Sequence, residues 1–269
     1  MANRRRPTRR RFSVTQILGE LLLTMGVVIL LFAFYESYWT NIAAGRLQDE
    51  KASALEDAWG ETDDSERVNP RQRLTPELGE AFARMYIPAF GSDFQFAIVE
   101  GTDDADLLAG PGRYVDSQMP GQAGNFAVAG HRVGKGAPFN DLGNLRVCDA
   151  IVVETQSAWV TYRVLPIDAQ GEVRRAEAEG CLSPEQVERV TTGEYAAVQG
   201  RHITLPGAIE VINPVPGQWA EVTPEMEGMI TLTTCHPQFS NAERMIIHAM
   251  EVESTPKIAG ERPAELEEI

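Results

Sequence analysis

Residues 230–237 read Ile230-Thr231-Leu232-Thr233-Thr234-Cys235-His236-Pro237. Apolar and hydroxyl side chains alternate through this run, the period-2 pattern of a strand with two unlike faces. Pro237 cannot donate to a sheet ladder, so it stops the strand beside His236. Cys235 thus stands at a strand terminus, held rigidly yet facing a loop. That placement suits a nucleophile, although an isolated cysteine is more often a small buried hydrophobe.

Working outward, the apolar runs between residues 81 and 252 are short, rich in β-branched residues and punctuated by glycine and proline. This is the signature of a mainly β fold. Candidate strands cover 84–88, 94–100, 125–129, 151–155, 158–165, 209–213, 229–234 and 245–252, and eight short strands suffice for a closed barrel or a sandwich. Short helices are expected over 103–108 and over 184–190, where Ser183 offers an N-cap oxygen and Glu185 an early-turn carboxylate. No internal repeat is present.

A cysteine nucleophile needs a partner that accepts its proton or favours its thiolate. The chain has four histidines, His131, His202, His236 and His248. His131 follows the strand-like run Asn125–Ala129 at a second strand-to-loop junction and is the leading candidate. His236 adjoins Cys235, but neighbouring side chains on an extended chain point to opposite faces. His202 falls in a polar segment, and nothing local excludes His248 in the last strand. Acyl transfer also needs positive charge at the developing oxyanion. Arg244 comes nine residues after Cys235, a spacing that lets an antiparallel partner strand return it beside the thiol. Its guanidinium stays charged at any relevant pH. Pairing with Glu243 or another surface acid is the alternative for Arg244.

Charge and hydropathy place the domain. The net charge is -15, yet the first eleven residues hold six arginines and no acid. Without those six, 18 basic residues face 39 acidic ones. So acidic a body repels phosphate backbones, and nucleic acid is excluded as a partner. Residues 21–35 carry no charge, and extension to 17–39 adds only Glu20 and Glu36. About 20 apolar residues span a bilayer core. Tyr35, Tyr38 and Trp39 sit at the far end, where amphipathic rings favour headgroups. The arginines put the N-terminus in the cytoplasm and the body outside the plasma membrane, in a single pass over 17–39. A cleaved signal peptide is the competing reading, but Ile42 spoils the Ala43-Ala44 site and the apolar stretch is long for one. Residues 1–16 are then a basic tail and 40–80 a charged, solvated stalk, within which Leu47, Leu55 and Trp59 allow one weakly amphipathic helix ahead of Asp63-Asp64. Residues 253–269 read as a disordered acidic tail. Three cysteines in an exported chain leave at least one unpaired or paired between chains. If Cys148 and Cys181 are bridged, Cys235 is the free thiol.

The segment Thr231-Leu232-Thr233-Thr234-Cys235-His236-Pro237, followed by Arg244, resembles the sortase signature TLxTCxP…R. Asn125-Phe126-Ala127-Val128-Ala129-Gly130-His131-Arg132 is similar to the sortase histidine strand. Gly110-Pro111-Gly112, Pro120-Gly121 and Gly136-Ala137-Pro138-Phe139 match as well. The resemblance covers residues 83–252 and is strongest to the class E sortases of actinobacteria, which share the wording TLTTCHP…ERMI. It implies an eight-stranded β-barrel, with Cys235 as nucleophile, His131 as acid/base and Arg244 as oxyanion stabiliser. It further implies cleavage of an LPxTG or LAxTG sorting signal between Thr and Gly through a thioester. Transfer to the amine of a lipid-linked peptidoglycan precursor would follow, without cofactor or metal. Thr233, Thr234 and Lys135 are the implied substrate contacts. Class E members often carry tyrosine where this chain has Lys135, which leaves the LAxTG preference open. Residues 168–208 look like an insertion at the signal-binding region. An inactive membrane-tethered binding module and a pilin-polymerising sortase are the alternatives. Neither a lid motif nor a second span, usual in pilin polymerases, is seen, and no SHGC-like motif of an L,D-transpeptidase occurs.

Overall fold

The computed structural model describes residues 13–35, 39–60, 76–258 and 260–267. Two helices lead, α1 at Val14–Phe34 and α2 at Thr40–Gly60. The barrel strands follow: β1 Ala81–Tyr86, β2 Gln95–Glu100, β3 Gly112–Arg113, β4 Gly124–Ala129, β5 Ala150–Glu154 and β6 Ala158–Val164, with α3 (Asp104–Ala109) between β2 and β3. Then come α4 (Gly171–Ala178), α5 (Pro184–Thr191), β7 (Arg201–Thr204), β8 (Gly228–His236) and β9 (Glu243–Pro256).

The sheet order is β6-β5-β1-β2-β3-β4-β8-β9-β7, and an added β6–β9 pairing closes eight of these strands into a barrel. The 14 residues of β9 make both closures. One edge pairs with β8. The other takes β7 along Arg244–Ile247 and β6 along Ala249–Pro256. Inside the ring, Phe126 and Val128 of β4 meet Ile230 and Leu232 of β8 and Ile247 and Ala249 of β9, all essentially excluded from solvent. A side chain of this size contributes roughly 1.5–3 kcal/mol when fully buried. The alternation read in residues 230–234 is thus a barrel wall.

A second apolar layer lies outside that wall. Leu182, Val187 and Val190 of the α4–α5 unit pack on Met229 and Met250, which are cross-strand partners on β8 and β9. Ser183 caps α5 as expected, and its reciprocal partner is the Gln186 side chain. Buried Arg174 of α4 donates from Nε to the Val190 carbonyl in the last turn of α5 (2.7 Å), an acceptor that the helix end leaves open, and from Nη2 to the Val198 carbonyl in the segment beyond it (2.6 Å). The Cys148–Cys181 disulfide, with Cα atoms 5.7 Å apart, ties this layer to the loop entering β5.

Several expectations change. Residues 209–212 form a 3-10 turn, not a strand: Pro206-Gly207 and Pro214 flank them, and Ile209 is exposed without a pairing edge. Residues 201–204, expected as loop, form β7, and the two-residue β3 is too short to leave a pattern. The stretch expected as a solvated stalk contains α2, which lies on the barrel through fully buried Ala44 and Leu55. Trp59 receives the Lys257 ammonium 3.9 Å from its ring centre. The acidic tail expected as disordered begins inside β9, and Leu266 packs against the Tyr86 and Trp159 cluster. The arginine run, Tyr38 and Asp63-Asp64 lie outside the described residues.

Candidate active site

Three neighbouring strands end together. Strand β4 runs parallel to β8, with Ala129 opposite Thr233. The pairing continues one step further, since Gly130 N–H donates to the Thr233 carbonyl at 3.1 Å. His131 and Cys235 are the next residues on their strands. Strand β9 runs antiparallel to β8, with Cys235 directly opposite Arg244. Alternation fixes the face as well. Phe126 and Val128, Ile230 and Leu232, and Met245 and Ile247 point into the barrel core. His131, Cys235 and Arg244 share the odd-even phase of the opposite, outer face.

Cys235 is a half-buried free thiol. Burial holds the His131 pKa below the ordinary histidine value; the Lys135 charge adds to this, and the Asp104 carboxylate opposes it. His131 Nε2 is buried without a hydrogen-bond partner, an arrangement that native interiors keep rare. A neutral imidazole beside a thiol can take up its proton and return it to a leaving group. Arg244 Nη1 donates to the carbonyls of Asn241 and Glu243, both at 3.0 Å. Its contact with Glu243 is therefore to the main chain. These bonds hold the guanidinium against its own turn.

The other histidines separate clearly. His248 lies opposite Thr231, deeper along the sheet, and is fully buried. Its Nδ1 lies 2.9 Å from Thr231 Oγ1, which donates to Asn125 Oδ1 at 2.8 Å. Burial pushes its pKa down to about 3. His202 on β7 stands against it, ring centres 5.4 Å apart. Neither is placed on the strand ends where Cys235 sits. His236 Nδ1 is taken by Arg132 Nη1 at 2.6 Å, and its Nε2 is 4.0 Å from Glu243.

Arg132 was not singled out in the sequence. Its Nη1 also donates to the Cys235 carbonyl at 3.3 Å, and its own carbonyl accepts from Asn140 Nδ2 at 2.9 Å. One side chain thereby joins the His131 loop to the backbone of the nucleophile. Its position directly after the candidate histidine was the available signal.

Of the three expected substrate contacts, Thr233 and Thr234 are buried. Thr233 Oγ1 lies 2.9 Å from the Tyr114 hydroxyl, and Thr234 Oγ1 donates to the Gly130 carbonyl at 2.8 Å. Both hydroxyls are thus engaged within the protein, where they hold β4, β8 and the segment after β3 in place. Lys135 sits in the loop after His131 with a left-handed backbone, as does Gly136. Among the described residues no cluster of three or more His, Cys, Asp or Glu side chains could hold a metal ion.

Residues 85–252 match the family model described as the sortase domain. Sortase SrtE1 of Streptomyces coelicolor is 31% identical over 257 residues, covering 93% of this chain but 60% of that protein, so the chain spans well under two thirds of this relative. Sortase SrtE2 of the same organism is 29% identical over 276 residues, covering 98% of this chain and 92% of that one. Among solved structures, the SrtF sortase from Corynebacterium diphtheriae superposes with a TM-score of 0.72 at 67% identity, covering 75% of this chain and 99% of that chain. Sortase E from Streptomyces avermitilis gives 0.50 at 33% identity, covering 71% and 99%.

Proposed function

This chain belongs to the sortase family of cysteine transpeptidases, and on that premise we propose that it cleaves a C-terminal sorting signal of LPxTG or LAxTG form between Thr and Gly. The observation that carries the reading is the register: Cys235 opposite Arg244 across β8–β9, with His131 two residues beyond Ala129, the last β4 residue paired with β8.

His131 takes the Cys235 thiol proton as Sγ attacks the threonine carbonyl carbon. The oxyanion that forms is stabilised by Arg244, whose fixed charge cannot be lost by deprotonation. The C–N bond then breaks, His131 hands its proton to the departing glycine amine, and the acyl group remains on Cys235 as a thioester. A second amine attacks this thioester, gives a proton to His131 and releases the Cys235 thiolate. We assign that acceptor to a peptidoglycan precursor, the secreted protein being the acyl donor. Lys135 is the proposed contact for a signal side chain, because its loop leaves His131 directly. Thr233 and Thr234 support the site through strand pairing.

The α1 helix spans 21 residues, and none of them is buried by the rest of the described protein. We assign it as a single-pass plasma-membrane anchor, N-terminus inside and barrel outside. Both the secreted substrate and a lipid-linked acceptor pass along that surface.

The test is to incubate the full chain in detergent micelles, under reducing conditions, with a panel of LPxTG and LAxTG peptides and an amine acceptor. Cleavage at Thr–Gly and the amide product are expected. Absence of cleavage with every peptide would overturn the reading.

A further inference from the structure

The segment after α1 takes part in the loop that carries His131. Asn41, Ala44, Gln48, Lys51 and Leu55 recur at three- and four-residue spacing and share one face of α2. Ala44 and Leu55 are the buried apolar points of that face. Around them, Lys51 Nζ donates to the Gly79 carbonyl at 2.7 Å, and Glu56 on the next turn pairs with Arg84 of β1 at 2.8 Å. The remaining two polar residues, both in the first half of the helix, meet the active-site loop. Gln48 Nε2 donates to the Lys135 carbonyl at 3.2 Å, and Asn41 Oδ1 accepts from Gly136 N–H at 3.3 Å.

The fit is close at one point. Gly136 has φ +79, and a Cβ there would lie 2.4 Å from Gln48 Nε2. Gly134, Lys135, Gly136 and Ala137 all have positive φ, backbone that a free chain adopts sparingly. On its other side the loop is fixed by Phe139 N–H to the His131 carbonyl (3.0 Å) and by Asn140 to Arg132. Helix α2 also packs on α3, which begins with Asp104. The two charges that act on His131, Lys135 and Asp104, therefore both lie on segments backed by α2.

We propose that α2 is a positioning element of the active site, its Gln48 and Asn41 holding the 132–137 loop so that His131 keeps its place beside Cys235. The proposal rests on the assignment of His131 as acid/base. It makes the helix that follows the candidate membrane span part of the catalytic unit.

The two contacts differ in polarity, which gives a test by opposite substitutions. Asn41 serves as an acceptor, so Asn41→Asp preserves its bond and Asn41→Leu removes it. Gln48 serves as a donor, so Gln48→Glu removes its bond and sets a carboxylate against a carbonyl. In the full chain in detergent micelles, Asn41→Leu and Gln48→Glu are expected to lower kcat about 10- to 100-fold, the scale of a sub-ångström to ångström misplacement. The thermal midpoint stays at the wild-type value. Asn41→Asp retains wild-type kcat. Hydrogen exchange of residues 134–137 reads the contact without any substrate: it accelerates in Asn41→Leu and Gln48→Glu and not in Asn41→Asp. Unchanged exchange in the two disruptive variants overturns the proposal, as does unchanged kcat. If exchange follows this pattern while no peptide is cleaved even by wild type, the brace stands and the catalytic assignment of His131 fails.

Discussion

Cys235 gains its place from the side chains around it. The Thr234 hydroxyl fixes Gly130, and Arg132 grips the Cys235 carbonyl and the His236 ring, so the thiol and His131 are carried on one hydrogen-bonded frame. Arg132→Lys keeps the charge but loses the planar fork. A hydrogen bond with a charged partner is worth about 1.5–3 kcal/mol, so this variant should lower kcat about 10- to 100-fold in peptide-cleavage kinetics. A wild-type rate would assign Arg132 no part in the frame. At this scale the sequence was informative about identities. Cys235 and Arg244 lie one residue inside the ends of β8 and β9 and His131 lies just past β4, and strand ends leave marks such as Pro237 and Gly130. Arg132, Gln48 and Asn41 left no such mark, because the distant segment that a polar side chain bridges to is not written in the residues around it.

Among the elements, those with a strong period or a cap were legible. Strand β8 declared itself by alternation, and α5 by Ser183 and the apolar positions Val187 and Val190. Residues 209–212 misled because β-branched composition predicts a strand only where a free edge exists to pair with. Helix α4 was missed because its polar run Glu172-Val173-Arg174-Arg175 is anchored by the buried Arg174 guanidinium, which a hydrophobic pattern does not record. The α4–α5 layer depends on its tether. Cys148 and Cys181 are 33 residues apart, and cross-linking a loop of this length removes about 3–4 kcal/mol of unfolded-state freedom in the chain-entropy description. Cys148→Ser together with Cys181→Ser should therefore lower denaturant stability by about 2–4 kcal/mol. Thiol titration of the folded wild type should find Cys235 alone. An unchanged unfolding midpoint, or three reactive thiols, would contradict the disulfide's structural role.

For the molecule as a whole, the closed barrel and the helices outside it set a pH response. His248 is neutral and buried when folded, with its pKa near 3, whereas in the unfolded chain it titrates near 6.5. Between these values the unfolded chain binds a proton that the native state refuses, so stability from this group falls as pH drops, by up to about 1.4 kcal/mol per pH unit. Glu251 on the same strand works in the opposite sense. Burial, then the Glu227 charge, pushes its pKa up to about 7, so it adds stability as pH falls from about 7 to 4.5. The two oppose each other from about 6.5 to 4.5, and of the two only His248 acts below that. In His248→Gln, thermal midpoints measured from pH 7 to 3.5 should fall less steeply below pH 4.5 than in wild type; parallel curves would contradict the assignment. The barrel itself was legible from strand number and motif. The docking of α2 was not, since the charged surface of that helix resembles a solvated tether when read without the barrel beside it.

The central claim is that the thiol at the end of β8 carries the acyl group. It is tested most directly by mixing the full chain with a sorting-signal peptide, quenching in acid and measuring intact and peptide masses. The account predicts a covalent adduct equal to the peptide through its threonine, on Cys235, released by hydroxylamine as the threonine hydroxamate and absent in Cys235→Ala. Cleavage at Thr–Gly that persists in Cys235→Ala, or an adduct on any other residue, would contradict it.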